Sequence, residues 1–172
     1  MEAAQSSRRD WVLRRFSDPR RIPFVPSPMD VVKRMLEIAE VKPNEVVYDL
    51  GCGDGRIPIA ASRLFDARAV GVELQRELAE KTMARVKNLE LCDRVRIVND
   101  NLFNVSLREA DVITLYLTKE ALAVLKPKLQ MELKPSARVV THDFKIPGWR
   151  PVYVEKIGSH RVYLYSMRRR PV

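Results

Sequence analysis

A chain of 172 residues with 46% hydrophobic and 31% charged residues has the size and apolar content of one folded domain, which excludes a disordered or fibrous protein. Two distant cysteines, Cys52 and Cys92, exclude a disulfide framework and a zinc-ligand spacing, so no metal site is expected. The net charge of +9 sits partly in arginine-rich tails and has two readings, a solvated basic surface or an attraction for nucleic acid and other polyanions; no aromatic residues interleave with the arginines as a stacking surface would require.

Residues 1–20 read as a basic, loosely ordered extension in which 11–16 could form one helical turn. Residues 21–168 read as a single domain. The polar start lacks the apolar region of a secretory signal, and no run is long enough for a membrane span. With so few cysteines, a reduced cytoplasmic setting follows as the expectation. Prolines 23, 26 and 28 then remove backbone donors and hold an extended segment.

Ser27 is placed as an N-cap and Pro28 as the first helical residue, opening a helix over 29–40 on the spacing of Val31, Val32, Met35, Leu36 and Ile38. A short apolar strand, 46–50, ends at glycines, and helical spacing resumes over 57–65. The alternation continues with strand 69–73, helix 76–89, strands 95–98 and 111–115, helix 119–133 and strand 137–141. Such alternation predicts a parallel α/β sheet covered on both faces. Residues 152–157 and 161–165 alternate around Gly158-Ser159 and predict a closing antiparallel hairpin.

The segment Asp49-Leu50-Gly51-Cys52-Gly53-Asp54-Gly55 leaves a strand and opens a helix, the setting of a ligand-cradling glycine loop. A dinucleotide fingerprint would place its third glycine where Arg56 stands, which weakens a nicotinamide or flavin reading. An acid ending the next strand, Glu73, completes a pattern that resembles the first two motifs of class I methyltransferases, on a Rossmann-like sheet of seven strands. In that setting Glu73 accepts hydrogen bonds from the two ribose hydroxyls of S-adenosylmethionine, and Asp49 faces its cationic methionine end. Backbone N–H groups at the helix start suit the methionyl carboxylate.

Asp100-Asn101-Leu102-Phe103 leaves the third strand where the fold presents residues to adenine. Asn101 and Leu102 are the candidates there, with Asp100 able to exchange roles with Asn101 and a plain Asx turn as the alternative. Tyr116 and Leu117 follow the fourth strand and are expected beside the transferable methyl, unless Tyr116 only packs. No Asn or Asp followed by Pro-Pro and an aromatic residue stands at this point, which argues against exocyclic amino groups of nucleic-acid bases as substrates.

Over roughly residues 22–166 the chain resembles the small archaeal protein lysine methyltransferases and, more remotely, a family of histone lysine methyltransferases. The resemblance rests on Pro23-Phe24-Val25-Pro26-Ser27-Pro28, the helix after it, the glycine motif, Leu125-Lys126-Pro127-Lys128-Leu129, and Thr141-His142-Asp143-Phe144 with Gly148-Trp149. It implies that Phe24, Val25 and Ser27 lie over the cofactor as a lid. Relatives usually carry Tyr and Thr where this chain has Phe24 and Ser27, so Ser27 keeps a hydroxyl and Phe24 does not. The implied cofactor set is Phe24, Val25, Ser27, Asp49, Gly51, Cys52, Gly53, Glu73, Leu74, Asn101, Leu102 and Tyr116, with Tyr116 and Leu117 lining the substrate channel.

The implied activity is methylation of exposed lysines on protein partners by a monomer of broad substrate range. An RNA or small-molecule methyltransferase and a cofactor-binding protein without turnover are the alternatives. A lysine amine, with its reference pKa of about 10.4, costs roughly 4–5 kcal/mol to deprotonate at neutral pH, and an apolar channel beside a sulfonium lowers that cost without a dedicated base. His142 is either a base or a structural hydrogen-bonding group at the end of the fifth strand. Phe144 and Trp149 either line the channel or pack beneath it.

Overall fold

The computed structural model describes residues 24–169; the basic extension with its expected helical turn lies outside the described residues. Helix α1 (Met29–Ile38) leads into β1 (Val46–Leu50), α2 (Arg56–Phe65), β2 (Arg68–Glu73), α3 (Arg76–Asn88), β3 (Val95–Asn99), β4 (Val112–Leu115), α4 (Lys119–Glu132), β5 (Arg138–His142), β6 (Tyr153–Ile157) and β7 (His160–Ser166), closed by a 3₁₀ turn at Met167–Arg169. The seven strands form one sheet in the order β3-β2-β1-β4-β5-β7-β6. Its first five strands are parallel, whereas β7 pairs antiparallel with both β5 and β6. Among the described residues no helix is long and apolar enough to cross a membrane.

Period-two alternation divides the core. Val47 of β1, Ala69 of β2, Val112 of β4 and Val140 of β5 face α1, α2 and α3, and join a cluster with Val32, Met35, Ile59 and Val86. Tyr48, Val70, Ile113 and Val139 point the other way, against Leu122, Leu125 and Leu129 of α4 and against Trp149 and Tyr165. Both faces of the parallel strands are therefore dry, as a doubly covered sheet requires. Strand order reverses between β1 and β4, and the crevice beyond the carboxyl ends of these strands is where open α/β sheets receive ligands.

The start of α1 differs from the sequence expectation. Pro28 itself is the N-cap, with ψ of 148°, its carbonyl accepting from Val32 N–H at 2.9 Å. Ser27 makes no capping bond there. Its hydroxyl lies instead in a buried contact, 2.8 Å from His142 Nδ1, 115 residues away in the chain. Local spacing favoured the cap, but a buried imidazole nitrogen needs a partner and took the hydroxyl. The other element boundaries fall within two residues of those expected.

Candidate functional site

The glycine loop between β1 and α2 owes its shape to three glycines in the left-handed region, Gly51, Gly53 and Gly55, where a side chain would strain the backbone. Gly55 is also the N-cap of α2, so the loop turns straight into the helix. Neighbours press on the loop from both sides. A Cβ on Gly53 would overlap the ring of Phe24, and one on Gly71 of β2 would stand 2.7 Å from Cys52 Sγ. Thr82 of α3 donates its hydroxyl to Gly53 O at 2.8 Å and supports the loop from below.

Two carboxylates flank this bend with different partners. Asp49, on β1, is buried, and its Oδ1 accepts from the Thr114 hydroxyl of β4 at 2.8 Å. Burial pushes its carboxyl up to about 7, helped by the negative charges of Glu73 and Asp54 and opposed by the Thr114 bond. Glu73, at the end of β2, accepts Gly53 N–H at 2.9 Å on Oε2 and Gln75 N–H at 2.8 Å on Oε1. Each oxygen keeps acceptor capacity toward the cleft. Burial also raises the Cys52 thiol, so this sulfur stays neutral and packs as an apolar group.

An open cleft of about 860 Å³, the solvent at its mouth included, lies over the loop. It brings together Phe24, Val25, Ser27, Asp49, Gly51, Cys52, Glu73, Leu74, Asn101, Leu102, Tyr116 and Leu117. Gly53 stands just outside the lining, beneath Phe24. Asn101 lines the cleft and also forms the Asx turn, its Oδ1 accepting Phe103 N–H at 3.0 Å. Asp100 lines it as well and accepts Asn101 N–H at 2.6 Å.

Arg56, which stands where a dinucleotide fingerprint would have glycine, ties the proline segment to the loop. Its guanidinium donates to Ser27 O at 2.7 Å and to both Asp54 oxygens, at 2.9 and 2.7 Å. The proline segment is thus held twice, by Arg56 at its backbone and by His142 at its side chain. Signals for this pairing were absent from local spacing, because Ser27 and Arg56 are 29 residues apart.

At the far end of the cleft the ring of Tyr116 lies 3.9 Å from that of His142, tilted by 31°, and its hydroxyl is 3.4 Å from Asp143 Oδ2. Burial and the nearby Asp143 charge raise the Tyr116 phenol, so it remains protonated at neutral pH. His142 is fully buried; burial and neighbouring His160 push its imidazolium form down against the pull of Asp143. Its two ring nitrogens meet Ser27 Oγ and, at 2.9 Å, His160 Nδ1, which places it among structural partners rather than facing the cleft. Phe144 stacks behind Tyr116 at 6.5 Å, while Trp149 is buried edge-on against Tyr165 and packs in the core.

The chain is similar to known proteins. A protein-lysine N-methyltransferase of Saccharolobus islandicus is 47% identical over 149 residues, covering 84% of this chain and 92% of its own. The mouse adenine nucleotide translocase lysine N-methyltransferase is 33% identical over 147 residues, 86% of this chain but 64% of the longer mouse protein. Among solved structures, an RNA methyltransferase from Salinibacter ruber in complex with S-adenosyl-L-homocysteine superposes with a TM-score of 0.81 at 40% identity, over 83% of this chain and 94% of that one. The ANTKMT methyltransferase domain matches residues 49–153, the stretch from the first acid of the glycine loop to the start of β6. With its sheet order, glycine loop and flanking acids, the chain belongs to the ANTKMT methyltransferase family.

Proposed function

We propose that the chain methylates lysine side chains of protein substrates with S-adenosylmethionine as donor. The observation that carries this reading is the relative named a protein-lysine N-methyltransferase, matched at 47% identity over 92% of its length. The cleft suits the donor. Glu73 offers two oxygens, each already fixed by one backbone N–H, to a pair of ribose hydroxyls. Asp49 offers a buried carboxyl to the cationic end, and the cation would draw its proton affinity back down. Leu74 and Leu102 give apolar walls for a flat base.

When bound, the donor supplies a methyl group already activated on a sulfonium. The protein's own part is then positioning. Tyr116 and Leu117 form the wall where a lysine amine would enter, and their apolar surface disfavours the ammonium form of that amine. Neither Tyr116, whose phenol stays protonated, nor Leu117 supplies a base at this wall, and desolvation serves in its place. We place this activity in a reducing compartment such as the cytoplasm, in keeping with two free cysteines, one exposed.

Substrate RNA is a second reading, favoured by the name of the Salinibacter relative. Incubation of the full chain with radiolabelled S-adenosylmethionine and a cell extract separates the two. Label that survives nuclease and maps by mass spectrometry to lysine residues is expected; label removed by nuclease would replace protein with RNA as the substrate.

A further inference from the structure

The chain contains two histidines in all, and the fold brings them into contact beside Asp143. His142 Nε2, His160 Nδ1 and Asp143 Oδ2 stand at the corners of a triangle with sides of 2.9, 3.1 and 3.4 Å. One proton on His160 Nδ1 can be shared between His142 Nε2 and Asp143 Oδ2, and the Tyr116 hydroxyl lies 3.4 Å from the same carboxylate oxygen, so the cluster closes by hydrogen bonds; the same three atoms also converge as the ligands of a single ion do. With neither nitrogen protonated, three acceptors converge on one point.

We propose that His142, Asp143 and His160 bind a divalent transition-metal ion, zinc or a first-row neighbour, at the edge of the methyltransferase cleft. The point equidistant from the three atoms lies about 1.8 Å from each, given those sides, so one ion could reach all three at bond lengths of roughly 2.0–2.1 Å. Two imidazoles and one carboxylate suit zinc, iron, cobalt or nickel rather than calcium or magnesium. The ligands' other atoms are already oriented. His142 Nδ1 has Ser27 Oγ at 2.8 Å, and Asp143 Oδ1 accepts Arg161 N–H at 2.9 Å, the kind of outer contact that fixes ligand tautomer and direction. His142 is fully buried, whereas the Asp143 and His160 side chains are 25% and 29% exposed, which leaves an entry path from solvent.

The ion would join the end of β5 to the start of β7 and, through His142, fix Ser27 and the proline segment over the cleft. Sequence spacing hides the site, because His142, the last residue of β5, and Asp143 after it meet a third ligand that arrives only through the antiparallel return of β7.

Zinc titrated into the chelator-treated full chain tests this by calorimetry and by nitrogen-15 NMR of the imidazoles. One equivalent per chain is expected, with both histidine signals moving together and reaching saturation at that ratio. His160→Ala and Asp143→Asn should each weaken uptake by more than about a hundredfold, beyond the ten- to hundredfold loss typical of outer-contact changes, with circular dichroism reporting that they fold. The wild-type NMR arm decides the matter even if a variant does not fold. No zinc uptake, uptake that leaves both imidazole signals in place, or equal uptake by wild type and both variants would overturn the site.

Discussion

The parallel half of the sheet and the antiparallel half hold their site residues by different means. Around β1 and β2 the backbone does the positioning: three glycines with positive φ shape the loop, and Glu73 fixes it through Gly53 N–H and Gln75 N–H. Around β5 and β7 side chains from distant segments do it, with Ser27, His142, Asp143, His160 and Tyr116 in mutual contact. Backbone positioning is local and tolerates few substitutions. Side-chain positioning depends on the completed fold and tolerates more, since Ser27 is also held by Arg56.

The largest expected effect lies in the parallel half. Asp49 has its pKa raised from 3.8 to about 7, so the native state binds an extra proton between those values, and wild-type stability should fall as pH rises from about 4 to about 7. Asp49→Asn removes that slope. At pH 8 it should stabilise the free protein by as much as about 4 kcal/mol, measured by urea unfolding across the pH range, while weakening binding of the cationic donor. A variant with the wild-type pH slope would show that burial does not govern this carboxyl.

Next in size is Glu73→Ala, which leaves two backbone N–H groups without their charged acceptor, each bond of this kind being worth roughly 1.5–3 kcal/mol. S-adenosylhomocysteine affinity should drop by about a hundredfold or more by calorimetry. The smallest effect belongs to the other half. Ser27→Ala strips a buried nitrogen of His142 of its partner and should cost about 1–2 kcal/mol of stability, yet shift cofactor affinity less than about threefold, because the Arg56 anchor remains. A Ser27→Ala loss of affinity matching that of Glu73→Ala would erase the distinction between the halves.

This contrast also explains what the sequence made legible. The glycine loop, its two acids and the strand alternation are written in consecutive residues, because period-two and period-3.6 patterns and turn glycines act over a few positions. Asp49 and Glu73 stand at strand ends, where the fold class alone places ligands. Ser27 has the local spacing of an N-cap, but the partner its hydroxyl takes is 115 residues away. The tertiary roles of Arg56 and Thr82 are hidden for the same reason, their bonds running to Ser27 and Gly53 across 29 residues each. The meeting of His142 with His160 follows from the β5–β7 register, which no local spacing encodes.

Titration of the full chain with S-adenosylhomocysteine by calorimetry tests the central claim most directly, that Asp49, the glycine loop and Glu73 form a nucleoside-cofactor site. One site per chain is expected, with binding lost or severely weakened in Glu73→Ala. Absence of binding at saturating ligand, or equal affinity in that variant, would contradict the account.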